Sequence, residues 1–236
     1  MTAPLLILLG MISAFTQGEA PPSYAQTYAI FIHGQRAGTE SVTERPDKDG
    51  GRMIRSQHEM LITDGLEAKR MAFETDTAFA RESLVPARYS YRYLSGVSKD
   101  YYEVTCKDGR FNRIMSRGGN IIESSGALRS DTLFLDFNVY HQYDLLARVY
   151  DFKKRGRQVF HDFIPAIGSE VDLAVTWLED ARLEYDRGAI PVRNYKIEFV
   201  GVRSGNLSTD MAGRLVRLIM REQDLEVVRQ DLVSGK

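Results

Sequence analysis

The chain has 236 residues, of which 43% are hydrophobic, and its 31 Lys and Arg are balanced by 32 Asp and Glu. A core is therefore affordable, and the basic excess that draws proteins to nucleic acid or anionic lipid is missing, so no nucleic-acid partner is expected. One cysteine, Cys106, excludes an intrachain disulfide and a thiolate zinc site, and in its alternating segment it reads as a small buried hydrophobe.

Residues 1–20 read as an export signal. Leu5 to Phe15 is an apolar run too short to span a bilayer, and Gly18 and Ala20 supply a small-residue cleavage site. No Lys or Arg precedes the run, and Pro21 is an awkward neighbour for cleavage, so an uncleaved anchor is the alternative. No cysteine lies just after the run to carry a lipid. The expected product is a soluble periplasmic or extracellular protein with no lasting membrane span, formed by residues 21–236 as one domain.

From Tyr24 onward the pattern is short period-2 runs punctuated by turn residues, the mark of an antiparallel sheet. Tyr24 to His33 and Thr39 to Glu44 flank a glycine-bracketed turn, Gly34 to Gly38. Arg52 to Thr63 and Leu66 to Phe79 flank Asp64-Gly65. Tyr89, Tyr91 and Tyr93 then alternate with Arg88, Ser90 and Arg92, which sets three rings on one strand face. Tyr101 to Lys107 and Arg110 to Ser116 join through Asp108-Gly109, and Gly118-Gly119 and Ser124-Ser125-Gly126 read as loop.

A long helix is predicted from Ser130 and Asp131 to about Gly156. Val139, Tyr143, Leu146 and Tyr150 form its apolar stripe, and Asp136, Arg148, Lys153 and Lys154 face water. Strand patterns return at Gln158 to Ile164, Glu170 to Leu178, Arg182 to Tyr185 and Val192 to Val202. Asp210 to Gly213 turns the chain into Arg214 to Met220, and Leu225 to Leu232 closes it. The fold class is mainly β, a β-rich α+β chain. A strongly curved antiparallel half-barrel of about ten strands is expected to wrap around one long mid-chain helix.

This layout, with its closing Asp210-Met211-Ala212-Gly213-Arg214-Leu215-Val216-Arg217 hairpin, resembles an uncharacterised family of exported bacterial domains. That group shares the half-barrel of the outer-membrane lipoprotein carriers and receptors. In the carriers the concave face is apolar and receives acyl chains, so the resemblance implies a lipid or lipidated protein as partner. It carries over no binding residue.

His33, His58, His141 and His161 are scattered without metal-ligand spacing, and Asp47 and Asp49 lack the rest of a calcium loop, so no metal is expected. His141 with Asp144, and His161 beside Asp162, could be drawn as general-base pairs, but ordinary surface or core polar pairing is the better account of both. No nucleophile elbow, phosphate loop or dinucleotide fingerprint is present, so neither a catalytic residue nor a cofactor is assigned. The ligand-facing candidates are Tyr89, Tyr91, Tyr93, Tyr143 and Trp177, for which core packing is the competing account. The function expected is an exported, non-enzymatic binding or carrier protein for an apolar ligand. The alternative is a cell-envelope interaction module, with an envelope protein as partner, whose sheet is filled by its own helix.

Overall fold

A computed structural model describes residues 23–64, 67–81, 83–95, 100–185, 188–199 and 203–233; the export-signal segment lies outside them. The strands are β1 (Tyr24–Ile32), β2 (Gln35–Pro46), β3 (Arg52–Asp64), β4 (Glu67–Phe79), β5 (Pro86–Tyr93), β6 (Tyr101–Lys107), β7 (Arg110–Arg117), β8 (Asn120–Ala127), β9 (Leu133–Phe134), β10 (Arg157–Ile164), β11 (Ser169–Tyr185), β12 (Gly188–Phe199), β13 (Arg203–Thr209), β14 (Leu215–Met220) and β15 (Leu225–Arg229). All fifteen form one sheet in the order β8-β7-β6-β5-β4-β3-β2-β1-β15-β14-β13-β12-β11-β10-β9. Two meanders, β1 to β8 and β9 to β15, are thus sewn together where β1 pairs with β15. The pairing is antiparallel throughout, except that β9 lies parallel to β10.

Turn chemistry explains the tight hairpins. His33-Gly34, Asp108-Gly109 and Gly118-Gly119 each place two successive residues at positive φ, the backbone that matches strand twist in a two-residue turn. The opening turn is therefore His33-Gly34, with β2 already under way at Gln35, rather than the wider Gly34 to Gly38 loop.

Three expectations are corrected. The sheet has fifteen strands rather than about ten: Ser124-Ser125-Gly126 is part of β8, the polar run Arg203–Thr209 is β13, and Leu133–Phe134 adds a two-residue strand. Glu170 to Leu178 and Arg182 to Tyr185 are one long strand, β11, continuous through a bulge at Trp177. The long helix is not formed: residues 128–156 hold one 3₁₀ turn, Tyr140–Tyr143, and a six-residue helix, α1 (Asp144–Val149). Asn138 sits at φ 62 and Tyr150 is extended, which breaks the helix at both ends. The predicted stripe is nonetheless buried, with Val139, Tyr143, Leu146 and Tyr150 all in the main core.

That core also takes Tyr28, Ile30, Val42 and Phe73 from the first meander and Leu173, Val175, Ile197 and Leu207 from the second. The mid-chain segment therefore fills the hollow of the curved sheet as a plug. Among the described residues the two sheet ends exchange no strand hydrogen bonds, and side chains bridge them instead. Phe111 of β7 packs on Phe163 of β10 with ring centroids 4.7 Å apart. Arg113, 4% exposed, donates to the carbonyls of Pro165 and Ala166 at 2.7 and 2.6 Å. Replacing Arg113 by Leu would orphan both carbonyls, and a loss of about 2–3 kcal/mol is expected in urea unfolding, with Lys restoring little because it lacks the planar fork.

Candidate functional site

The plug is held by buried charge. Glu40, on the inner face of β2 in line with Val42, is fully buried. It accepts hydrogen bonds from the backbone N–H of His141 at 3.2 Å and from the His141 ring at 2.6 Å. His58 Nε2 of β3 lies 3.3 Å from the same carboxylate and 2.8 Å from Ser56 Oγ, which in turn meets Thr75 Oγ1 at 2.7 Å. Burial alone would raise the Glu40 carboxyl, but the imidazoles of His58 and His141 and the hydrogen bonds from His141 reverse this and hold it below the usual carboxylate range. Burial, opposed by the Glu40 charge, pushes His58 down to about 4, so its ring is neutral at physiological pH.

Ser56, His58 and Glu40 have the residue types of a nucleophile, base and acid, but not the geometry. A relay needs the acid on Nδ1 and the hydroxyl on Nε2. Here both contacts fall on Nε2, while Nδ1 is buried without a partner and Ser56 is fully buried. The cluster is a clamp. Among the described residues no group of three His, Cys, Asp or Glu side chains is placed to hold a metal ion.

Two further carboxylates pin the plug. Asp144 accepts from the Leu215 amide and lies 3.6 Å from Arg214, and burial pushes it to about 6. Asp136, expected to face water, is buried, and this is a correction with a clear cause. Its Oδ2 accepts from Tyr89 at 2.8 Å and from Tyr102 at 2.5 Å, while Oδ1 accepts from the amides of Phe137 and Ala166. Those partners replace the water that the helical pattern had assumed.

The tyrosine ladder is real but graded. Ser56, Thr75, Tyr91, Tyr102, Met115 and Ile122 form one registered row across β3 to β8. The row is buried at Ser56 and Thr75 and 46% exposed at Ile122. Tyr91 is sandwiched between Phe73 and Tyr102, each with ring centroids 4.7 Å away. Tyr89 is fully buried on Asp136, and Tyr93 is half-buried opposite Phe73. Trp177 does not join them: it packs edge-on to Phe152 and donates to Asp180 at 3.2 Å on the far meander.

Tyr143 lines a cleft of about 360 Å³ that Asp136 also lines. One wall is Phe137, Tyr140 and Tyr143 of the plug, the other is Leu218, Met220 and Leu225 of β14 and β15, and Asp136, Asn138 and Gln223 give the lining a polar share. Arg203 stands in it with its guanidinium 4.6 Å over the Phe199 ring and 5.9 Å from that of Phe137. By contrast, the crevice between the plug and β2 to β4, lined by Val42, Ile54 and Asp144, leaves a water molecule only about 20 Å³ in which to be centred.

Sequence reasoning reached Tyr89, Tyr91 and Tyr143 and missed Glu40, Asp136 and Arg203 as members of the arrangement. A signal existed for Glu40, which alternates in phase with Val42. None existed for Arg203, whose strand is polar and glycine-containing.

No protein-family model matches the chain, and no curated protein matches it. Among solved structures it is similar to a β-barrel-like protein of a domain of unknown function, DUF1849, from Brucella abortus. The TM-score is 0.60 at 11% identity, over 87% of this chain and 93% of that one. A likeness of that kind establishes a β-barrel-like fold. No described helix is long and apolar enough to cross a membrane.

Proposed function

We propose that the protein is an exported, non-catalytic binding or carrier protein that takes the apolar part of a ligand, such as a lipid or lipoprotein acyl chain, in the Tyr143 cleft. The cleft carries this reading. Its volume is at the low end of small-molecule sites, about 300–1,000 Å³, and within a lining that also carries Asp136, Asn138 and Gln223, the side chains of Leu218, Met220 and Leu225 offer an acyl chain an apolar wall and Arg203 offers its anionic end a cation. The half-barrel resemblance to lipoprotein carriers supports the same ligand class.

The test is titration with a fluorescent fatty acid, backed by native mass spectrometry of protein purified from its host. Gln223→Trp, at an exposed position of the mouth, is expected to weaken binding at least tenfold without lowering Tm. Arg203→Gln is expected to weaken a fatty acid about tenfold and the matching alcohol hardly at all, as removal of one charge-assisted contact does. An empty native protein, or a probe indifferent to both changes, sinks the reading.

A second reading, an envelope interaction module, is favoured by the nearly filled crevice beneath the plug. Crosslinking that captures one reproducible envelope protein, with no ligand-dependent rise in Tm, would select it.

A further inference from the structure

We propose that β8 is a strand-addition edge that pairs two copies of the chain about a two-fold axis through Ser124. Among the described residues no strand pairs with the outer edge of β8, and every residue from Asn120 to Ala127 except Gly126 is exposed. Proline and lysine, the usual protections of a long free edge, do not occur in the strand.

Backbone parity decides what that edge offers. Leu128 N donates to Gly109 O at 2.8 Å, and the β7 to β8 register continues this alternation through Phe111 with Gly126 and Arg113 with Ser124. Even-numbered residues of β8 therefore turn their N–H and C=O groups toward β7, and Ile121, Glu123, Ser125 and Ala127 turn theirs to the free edge. A two-fold axis normal to the sheet keeps the faces matched and pairs the odd residues of two strands antiparallel.

Charge and the length of the paired stretch then narrow the register. Centring the axis on Glu123 would set two carboxylates directly opposite each other, which is unfavourable. Centring it on Ile122 leaves Ser125 and Ala127 beyond the paired stretch. Centring it on Ser124 sets Glu123 opposite Ser125 and Ile121 opposite Ala127, each twice, and uses every edge-facing residue. It also sets Ile122 opposite Gly126, on whose β7 side the Phe111 ring already occupies the place of a Cβ, 2.7 Å away. The partner's Ile122 thus meets that ring with no Gly126 side chain between them, and Ile121 and Ile122, 57% and 46% exposed, are both covered.

Sedimentation velocity of the full mature chain over a range of roughly 1 to 300 μM tests the pairing. A concentration-dependent dimer is expected. Ser125→Pro removes an edge-facing N–H and leaves the β7 ladder intact, so it is expected to give a monomer of unchanged Tm. Ser125→Lys, opposite Glu123 of the second copy, is expected to tighten the dimer about tenfold, and Ser125→Glu to loosen it about tenfold, through two symmetric charge pairs. The charge variants read the register even if the proline variant fails to fold. A wild-type chain monomeric throughout, or a dimer that responds equally to Ser125→Lys and Ser125→Glu, overturns the proposal.

Discussion

Glu40→Ala is expected to destabilise the protein by about 3–5 kcal/mol, the usual cost of removing one member of a buried charged hydrogen-bonded group. The carboxylate receives the His141 amide, the His141 ring and His58, and none of these can reach water once it is gone. The loss therefore combines a cavity on the inner face of β2 with unpaired donors on β3 and the plug. Urea unfolding followed by tryptophan fluorescence measures it through Trp177, which lies on the far meander and so reports global rather than local loss. Glu40→Gln keeps the shape and one acceptor and should cost less than half as much. If Glu40→Ala costs under about 1 kcal/mol, the clamp is not what holds the plug.

The second large effect is a pair of opposed pH dependences. His58 is depressed to about 4 from an ordinary 6.5, so its neutral form is favoured by folding. Its contribution is complete above pH 6.5 and is lost as the pH falls toward 4. Asp144 is raised to about 6 from 3.8, so its protonated form is favoured. Its contribution is complete below pH 3.8 and is lost as the pH rises toward 6. Each shift corresponds to roughly 3 kcal/mol, and over the shared window the two nearly cancel. Single variants unmask them.

Relative to wild type, Asp144→Asn should gain about 3 kcal/mol between pH 4 and 6.5, and His58→Gln should gain a similar amount in the opposite direction. Asp136 and Asp162 carry the same sign as Asp144, which burial raises in each case, so the difference curve and not the absolute one isolates each group. Parallel difference curves for the two variants would refute the assignment.

The hairpins were legible because their information is local. Asp108-Gly109 specifies its own turn, and alternation around Tyr89 to Tyr93 specifies a face. How deep a face lies is not local: Tyr89 and Tyr93 share an alternation, yet one is sealed against Asp136 and the other is half open. The plug was illegible for the same reason. Its apolar spacing suits a helix, but burial of Asp136 and His141 by partners 47 and 101 residues away overrides propensity. Trp177 shows the converse error, since an apolar alternation and a large ring do not say which part of the sheet they will face.

The seam at β1 and β15 bears on the order of events during synthesis. Every other antiparallel pair joins neighbours in sequence and can zip as the chain emerges, whereas Tyr28 must wait for Arg229, its partner in register. Until the last hairpin arrives, the first meander has an open strand at each end and its plug has only half a wall to pack against. The newborn chain therefore passes through a stage with exposed strand edges, and a holding factor would be needed most between the completion of β8 and the arrival of β15.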